Sequence, residues 1–293
     1  MKLIKPSVEY IPQPEGINVN NIYQHIDRCA RTCYKSENKF DENKSYDFVQ
    51  RLIKSKHLAM LEHGTVYLAM PVETIIPFEA NDWGRYYHNP YSDSGTICEV
   101  KGERKVAVTT NFRVLIENHW LEDFKYICEP TKYHKKRYTM KFICDRGVSH
   151  ELVRHRVFSF AQESQRYCNY SKDKFDKHVT FVRPTWCTDI GILPGGIAAV
   201  RELDKTNWEF IRALCDAEDT YFALLSDGWT PQQARSVLPN ATKTEIVMTG
   251  FEDDWRHFFD LRLRGTTGKP HPDMLAVAQL AWNEFKNKLN LEL

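Results

Sequence analysis

The stretch "RYTMKFICDRGVSHELVRHRVFSFAQESQRYCNY", Arg137 to Tyr170, is where the character of this chain turns. Its first nine residues, Arg137 to Asp145, alternate as a half-buried strand does. Gly147 then opens a short helix that runs into the triplet Arg154-His155-Arg156. Successive residues there point about 100° apart. Three cations at such a place are accounted for, in the plainest reading, by the partial negative charge of a helix C-terminus. The residues that follow ask for more. Phe158, Ser159 and Phe160 lead into Gln162, Ser164, Gln165, Arg166 and Tyr167. A hydroxyl, amides and a further guanidinium suit a phosphate together with a uracil-like heterocycle, which needs donors and acceptors side by side. Arginine meets phosphate bidentately and stays charged at any working pH.

The rest of the chain bounds that reading. Forty basic and 39 acidic side chains among 293 residues leave a net charge of +1, so any polyanion site must be local. A hydrophobic content of 42% allows a sizeable core. The opening "MKLIKPSVEYIPQPEG" lacks a long apolar run, so no signal peptide is expected. No stretch approaches the 18 apolar residues of a membrane span. Eight cysteines are irregularly spaced, only Cys29 and Cys33 lie close together, and reduced thiols in a cytoplasmic protein are expected.

Outward from the opening stretch, residues 19–34 and Ser45 to Lys54 read as helices, and Gly64 to Val72 as a strand. Residues from about 75 to 131 turn irregular and aromatic, with a strand leading into a helix in "KVAVTTNFRVLIENHWLEDF". "HVTFVRPTW" reads as extended. Residues 197–227 read as a long helix with Trp208, Ile211, Cys215, Phe222 and Leu225 on one stripe, ended by Gly228. In "TPQQARSVLP", Thr230 is an N-cap, Pro231 sits at N1 and Gln233 completes a capping box. "TKTEIVMTGF" reads as a strand, followed by a helix capped by Asp253 or Asp254, and by a last helix from Asp273 to about Leu289. The expected class is α+β, a mixed sheet with long helices in one catalytic domain over residues 1–293.

Three blocks, in order, carry a resemblance. "RHRVFSFAQESQRY" resembles the signature of the flavin-dependent thymidylate synthases: Arg-His-Arg, seven residues, Ser, and Arg two further on. "ARSVLPNATKTEIVMTGFEDDWRHFFDLR", Ala234 to Arg262, resembles that family's C-terminal segment. "HLAMLEHGTVYLAM", His57 to Met70, resembles its His…Glu-His approach to a strand. The resemblance implies FAD contacts at His57, Ala59, Arg154, His155, Arg156, Gln162 and His257. It implies dUMP contacts at Glu151, Arg154, Gln162, Ser164, Arg166, Arg235 and Arg262, with Arg262 at the uracil ring as the catalytic cation. It further implies methylenetetrahydrofolate as one-carbon donor, NADPH as reductant, and a homotetramer with shared active sites.

The chain also departs from the family. Gln162 stands where many members have Glu, and Glu163 follows. Phe251 and Asp253 replace an Asn and an Arg that contact the adenine half of the cofactor in some members. "KPHPDM" replaces the family's Ala-Gln after the last arginine, and residues 75–131, without counterpart in the shortest members, read as an inserted subdomain.

Other chemistries fit less well. The unrelated route to thymidylate needs a cysteine nucleophile in an electropositive pocket. No cysteine lies inside the cationic motifs, and Cys168 comes closest. Glu62-His63 with His57 or His150 has no known zinc spacing, so no metal is expected. "KYHKKRY", Lys132 to Tyr138, could bind RNA, but it also reads as a solvated strand edge, and no nucleic-acid partner is expected. A relative that hydroxymethylates or otherwise modifies a pyrimidine nucleotide at the same site is the alternative enzyme reading.

Overall fold

The structure, a computed structural model, describes residues 1–72, 82–100, 102–192, 195–196, 198–200 and 205–291. In chain order its strands are β1 (Lys2–Ile4), β2 (Ser7–Tyr10), β3 (Thr65–Pro71), β4 (Asp93–Val100), β5 (Glu103–Asn111), β6 (Arg137–Asp145), β7 (Ser159–Gln162), β8 (Thr180–Val182), β9 (Ile190–Ile192), β10 (Ala198–Val200) and β11 (Lys243–Phe251). The α-helices are α1 (Val19–Arg31), α2 (Ser45–Lys54), α3 (Gly84–Tyr87), α4 (Phe112–Glu117), α5 (Arg146–Leu152), α6 (Lys205–Ser226), α7 (Pro231–Ala234), α8 (Glu252–Arg262) and α9 (Pro272–Leu289). A 3₁₀ turn, Leu58–His63, precedes β3.

The central sheet runs β2-β6-β11-β7, antiparallel throughout, with β6 and β11 paired along nine residues. Alternation gives it two unlike faces. Tyr138, Met140, Phe142 and Cys144 of β6, with Ile246 and Met248 of β11, pack on Trp255, Phe258 and Phe259 of α8 and on Met274, Val277, Ala281 and Phe285 of α9. The opposite face turns Thr139, Lys141, Lys243, Glu245 and Thr249 toward α1 and the 3₁₀ turn, with Val247 and Ala161 packed on Cys29 among them, and is largely polar although mostly buried.

A second sheet, β3-β5-β4, shares one core with α1, α2 and α4 through Ile22, Ile26, Leu52, Leu68, Val108 and Phe112. The stretch that reads as irregular thus contributes a hairpin, β4–β5. Its alternation is hidden by a register shift between Asp93 and Thr96. Residues 75–81 and 101 of that stretch lie outside the described residues. Parallel pairing occurs in β1–β8, which an isolated bridge between Phe181 and Thr242 ties to the chain leading into β11. The class is α+β, as the pattern of elements predicts.

Three local readings change. The expected helix over 197–227 starts at Lys205, because Ala198–Val200 pairs with β9 instead. Its buried positions are Asn207, Leu214, Glu218 and Tyr221, while Trp208 is 50% exposed. Ile211, Phe222 and Leu225 of the predicted stripe do pack on the core around Leu214 and Tyr221, and a carboxylate joins them: Glu218 accepts from the Val179 amide at 2.8 Å. The helix after β11 is capped from within. Asp254 accepts from the Phe251 amide at 2.9 Å, so Phe251 is the N-cap.

Candidate active site

The cationic triplet gets its geometry from α5. Asp145 caps that helix by accepting from the Val148 amide at 2.7 Å. Tight turns follow, with the Arg154 amide on the Glu151 carbonyl, that of His155 on Leu152, and that of Phe158 on His155. Val153, Arg154, Arg156 and Val157 therefore face outward, while His155 turns in and is 7% exposed. Its ring lies 5.0 Å from that of Phe258. Phe158 packs just behind it against β11, where a Cβ on Gly250 would lie 2.6 Å from the Phe158 ring. Only a glycine permits that approach.

Arg262, the last residue of α8, reaches the same place. Its Nε donates to His155 Nε2 at 3.0 Å, its Nη1 to Glu151 Oε2 at 2.7 Å, and its Nη2 to the Glu151 carbonyl at 3.4 Å. Burial, aided by the charges of Arg262 and His257, pushes the His155 pKa down to about 4. His155 is therefore neutral near pH 7, accepts at Nε2, and carries its proton on Nδ1. Glu151 and His155 aim the guanidinium in a fixed direction.

Strand β7 carries the next contacts, and its period of two separates them. Gln162 lies on the α5 side and donates to Ser149 Oγ at 3.0 Å and Thr244 Oγ1 at 3.2 Å. Glu163 faces the other way and pairs with Lys243 at 2.7 Å. It belongs to a buried ion cluster centred on Glu245, which meets Lys35 at 2.5 Å and both Lys141 and Lys243 at 2.6 Å. Burial opposes ionisation of Glu245, but the three ammonium groups override it and hold its carboxyl far below the usual range. The carboxylate one place along thus cannot substitute for one at 162.

Beyond β7 the Ser164 amide donates to the Cys33 carbonyl at 3.0 Å. Arg166 is exposed, its guanidinium 5.6 Å from the Tyr167 ring. That ring lies 5.4 Å from Tyr34, whose hydroxyl stands 3.5 Å from His57 Nδ1. Ala59 is exposed on the 3₁₀ turn just after His57.

The expected residues thus fall into two groups at opposite ends of β7: Glu151, His155, Arg262 and His257 at one, and Ser164, Arg166, His57 and Ala59 at the other. Gln162, at the end of β7 that leads to Ser164, bonds Ser149 of the helix that carries Glu151 and so lies between them. Arg235 opens a 3₁₀ turn after α7 and touches neither group through its side chain among the described residues. Arg154, Arg156, Arg166 and Arg235 make no ion pair among the described residues, and so remain available to an anion. Ser149, Thr244, Phe258 and Tyr34 support the site without a sequence signal of their own, because each acts through a distant partner.

Other features limit the chemistry. All eight cysteines are free thiols. Burial, with Glu163 nearby, pushes Cys168 up to about 12, far from a thiolate at neutral pH. No group of three or more His, Cys, Asp or Glu side chains able to hold a metal ion occurs among the described residues. No described helix is long and apolar enough to cross a membrane. Within "KYHKKRY", His134 is buried on the Leu68 carbonyl at 3.0 Å, and Lys135 bridges Asp93 and Asp253 at 3.2 Å each.

A family model described as "Thymidylate synthase complementing protein" matches residues 133–289, more than half of the chain and all of the segment from the cationic triplet to Arg262. The chain belongs to that family. A flavin-dependent thymidylate synthase of Geobacter sulfurreducens is 37% identical over 117 residues, which cover 40% of this chain and 43% of the relative. One from Mycobacterium avium is 37% identical over 119 residues, covering 40% and 45%. The match therefore spans less than half the length of these curated relatives. A solved UMP/dUMP methylase, PolB from Streptomyces cacaoi with bound 5-Br dUMP, aligns over 98% of this chain and 92% of its own at 17% identity and a TM-score of 0.45.

Proposed function

We propose that this chain is an FAD-dependent thymidylate synthase that converts dUMP to dTMP, with methylenetetrahydrofolate as one-carbon donor and NADPH as reductant. The observation that carries the reading is the clamped Arg262, a preorganised cation held by Glu151 and a neutral His155 beside unpaired arginines. Uracil becomes reactive as negative charge builds over N3 and the neighbouring carbonyl. A fixed guanidinium stabilises that charge without reorganising. Arg166 and Arg235, with Ser164, hold the phosphate, and Gln162 offers an amide already oriented by Ser149 and Thr244.

The unpaired guanidiniums of Arg154 and Arg156 suit the diphosphate of FAD, with His57, Ala59, His155, Gln162 and His257 as its further contacts. The flavin, once bound and reduced, supplies the hydride, so the protein needs no covalent nucleophile. The high pKa of Cys168 agrees with this.

The same reading includes a homotetramer with shared sites. Val153 is 38% and Val157 62% exposed beside Arg154 and Arg156, so this turn is open to contact with another copy. A second protomer would also close the gap between the two groups of residues. Residues 75–131 read as an insertion into this single domain.

The test is direct. Purified protein loaded with FAD should show oxidised-flavin absorption and, with NADPH and methylenetetrahydrofolate, turn dUMP into a product with the mass of dTMP. Failure to take up FAD, or equal turnover without it, sinks the reading; a hydroxymethylated product points to the alternative enzyme.

A further inference from the structure

A row of buried hydroxyls crosses the central sheet on the face away from α8 and α9. Thr139 of β6, Thr249 of β11 and Ser159 of β7 lie directly opposite one another in register. They are 3%, 0% and 5% exposed. Thr139 Oγ1 and Thr249 Oγ1 are 2.8 Å apart. At one end His25 Nε2 of α1 meets Thr139 at 3.0 Å, and at the other His63 Nδ1 meets Thr249 at 2.7 Å. Three links need three protons. The hydroxyls supply two and one imidazole N–H the third, so two neutral histidines complete the chain. Burial keeps both neutral, with pKa values lowered to about 3.

Burying four polar side chains here gains little net stability over an apolar row. It does fix a direction. His63 ends the 3₁₀ turn Leu58–His63, and Arg137 grips the same end. Its Nη1 donates to the Glu62 carbonyl at 3.0 Å and its Nη2 to Ser159 Oγ at 3.3 Å. The turn is thus tied to the sheet by a ring and by a backbone carbonyl at adjacent residues.

We propose that Thr139, Thr249 and Arg137 are positioning residues: they lock the Leu58–His63 turn to the sheet and thereby set where His57 and Ala59 stand relative to the Ser164–Arg166 loop. The structural half stands on the contacts above. The functional half rests on the reading that His57 and Ala59 face the flavin.

Thr249→Val removes the hydroxyl at nearly constant volume, and Thr249→Ser keeps it. Hydrogen exchange of residues 58–63 in the ligand-free protein reads the structural half, and FAD affinity by titration reads the functional half. Thr249→Val should speed exchange of that turn about tenfold while α9 keeps its protection, weaken FAD about tenfold, and leave both effects reversed in Thr249→Ser. Should Thr249→Val not fold, Arg137→Gln, which frees the Glu62 carbonyl, should give the same two effects. Unchanged exchange at 58–63 overturns the lock. Faster exchange with unchanged FAD affinity overturns the positioning role. Wild-type protein that binds no FAD overturns the proposed function instead, and the exchange result still decides the lock.

Discussion

Arg262 Nε donates to His155 Nε2 at 3.0 Å, so a permanent cation leans on a neutral imidazole rather than on a second carboxylate. Among the described residues Glu151 alone supplies compensating charge, at 2.7 Å. The guanidinium is held in place yet only partly neutralised, and part of its field is left for a ligand.

Arg262→Ala should lower saturated turnover by two to three decades, the loss of about 3–4 kcal/mol typical of one preorganised donor, while the fold and FAD binding survive. Arg262→Lys should recover only part, because a point charge cannot make the same planar set of contacts. Turnover must be read at saturating dUMP. A change confined to the half-saturation concentration would make Arg262 a simple binding contact.

Four buried histidines, His134 among them with its pKa lowered by burial, should make the protein acid-sensitive above the carboxylate range. His155 is pushed down to about 4, and His25 and His63 to about 3. The unfolded chain binds these protons below about pH 6.5, whereas the folded protein resists until pH 4 or lower. Stability is then fully present above pH 6.5 and falls as pH drops, by up to about 1.4 kcal/mol per pH unit for each histidine. Denaturant midpoints between pH 6.5 and 5 check this. His155→Gln should flatten the slope, and an unchanged slope refutes the assignment for that residue.

Gln162 and Glu163, adjacent in sequence, should behave as opposites. Glu163→Ala leaves Lys243 with one carboxylate fewer in a buried cluster and should cost about 3–5 kcal/mol of stability. Gln162→Ala should cost about 1 kcal/mol but raise the half-saturation concentration for dUMP. Chemical denaturation and steady-state kinetics on both variants separate the two. The reverse pattern would mean that β7 presents the other face.

Cys168→Ala should leave turnover within about tenfold, because a buried thiol with its pKa at about 12 acts only as a small hydrophobe. A loss of several decades with FAD still bound would point to covalent catalysis.

Elements stand where the sequence predicts them when their signal is local. The helix Ser45–Lys54 and the strand Arg137–Asp145 match residue for residue, since alternation and helical spacing are properties of consecutive residues. The capping box Thr230–Gln233 is likewise present, with the Thr230 amide on Gln233 Oε1 at 2.9 Å. What failed depended on distant partners. The Glu218 carboxylate occupies a core position of α6 because the Val179 amide meets it there. The alternation of β4 is broken by a bulge that makes sense only beside β5.

The sequence by itself determined the α+β class, the faces of its strands and most of its helices, and the crowding of Arg154, His155 and Arg156 at one helix end. Only the tertiary structure decided that Arg262 would meet His155 and Glu151, 107 and 111 residues away, that Glu163 would be spent on Lys243, and that Arg166 would stand at the far end of β7. The reason is physical. Periodicity fixes the direction of a side chain relative to its own element, but which groups share a site depends on how sheet and helices pack, and packing is set by contacts between residues far apart in the chain.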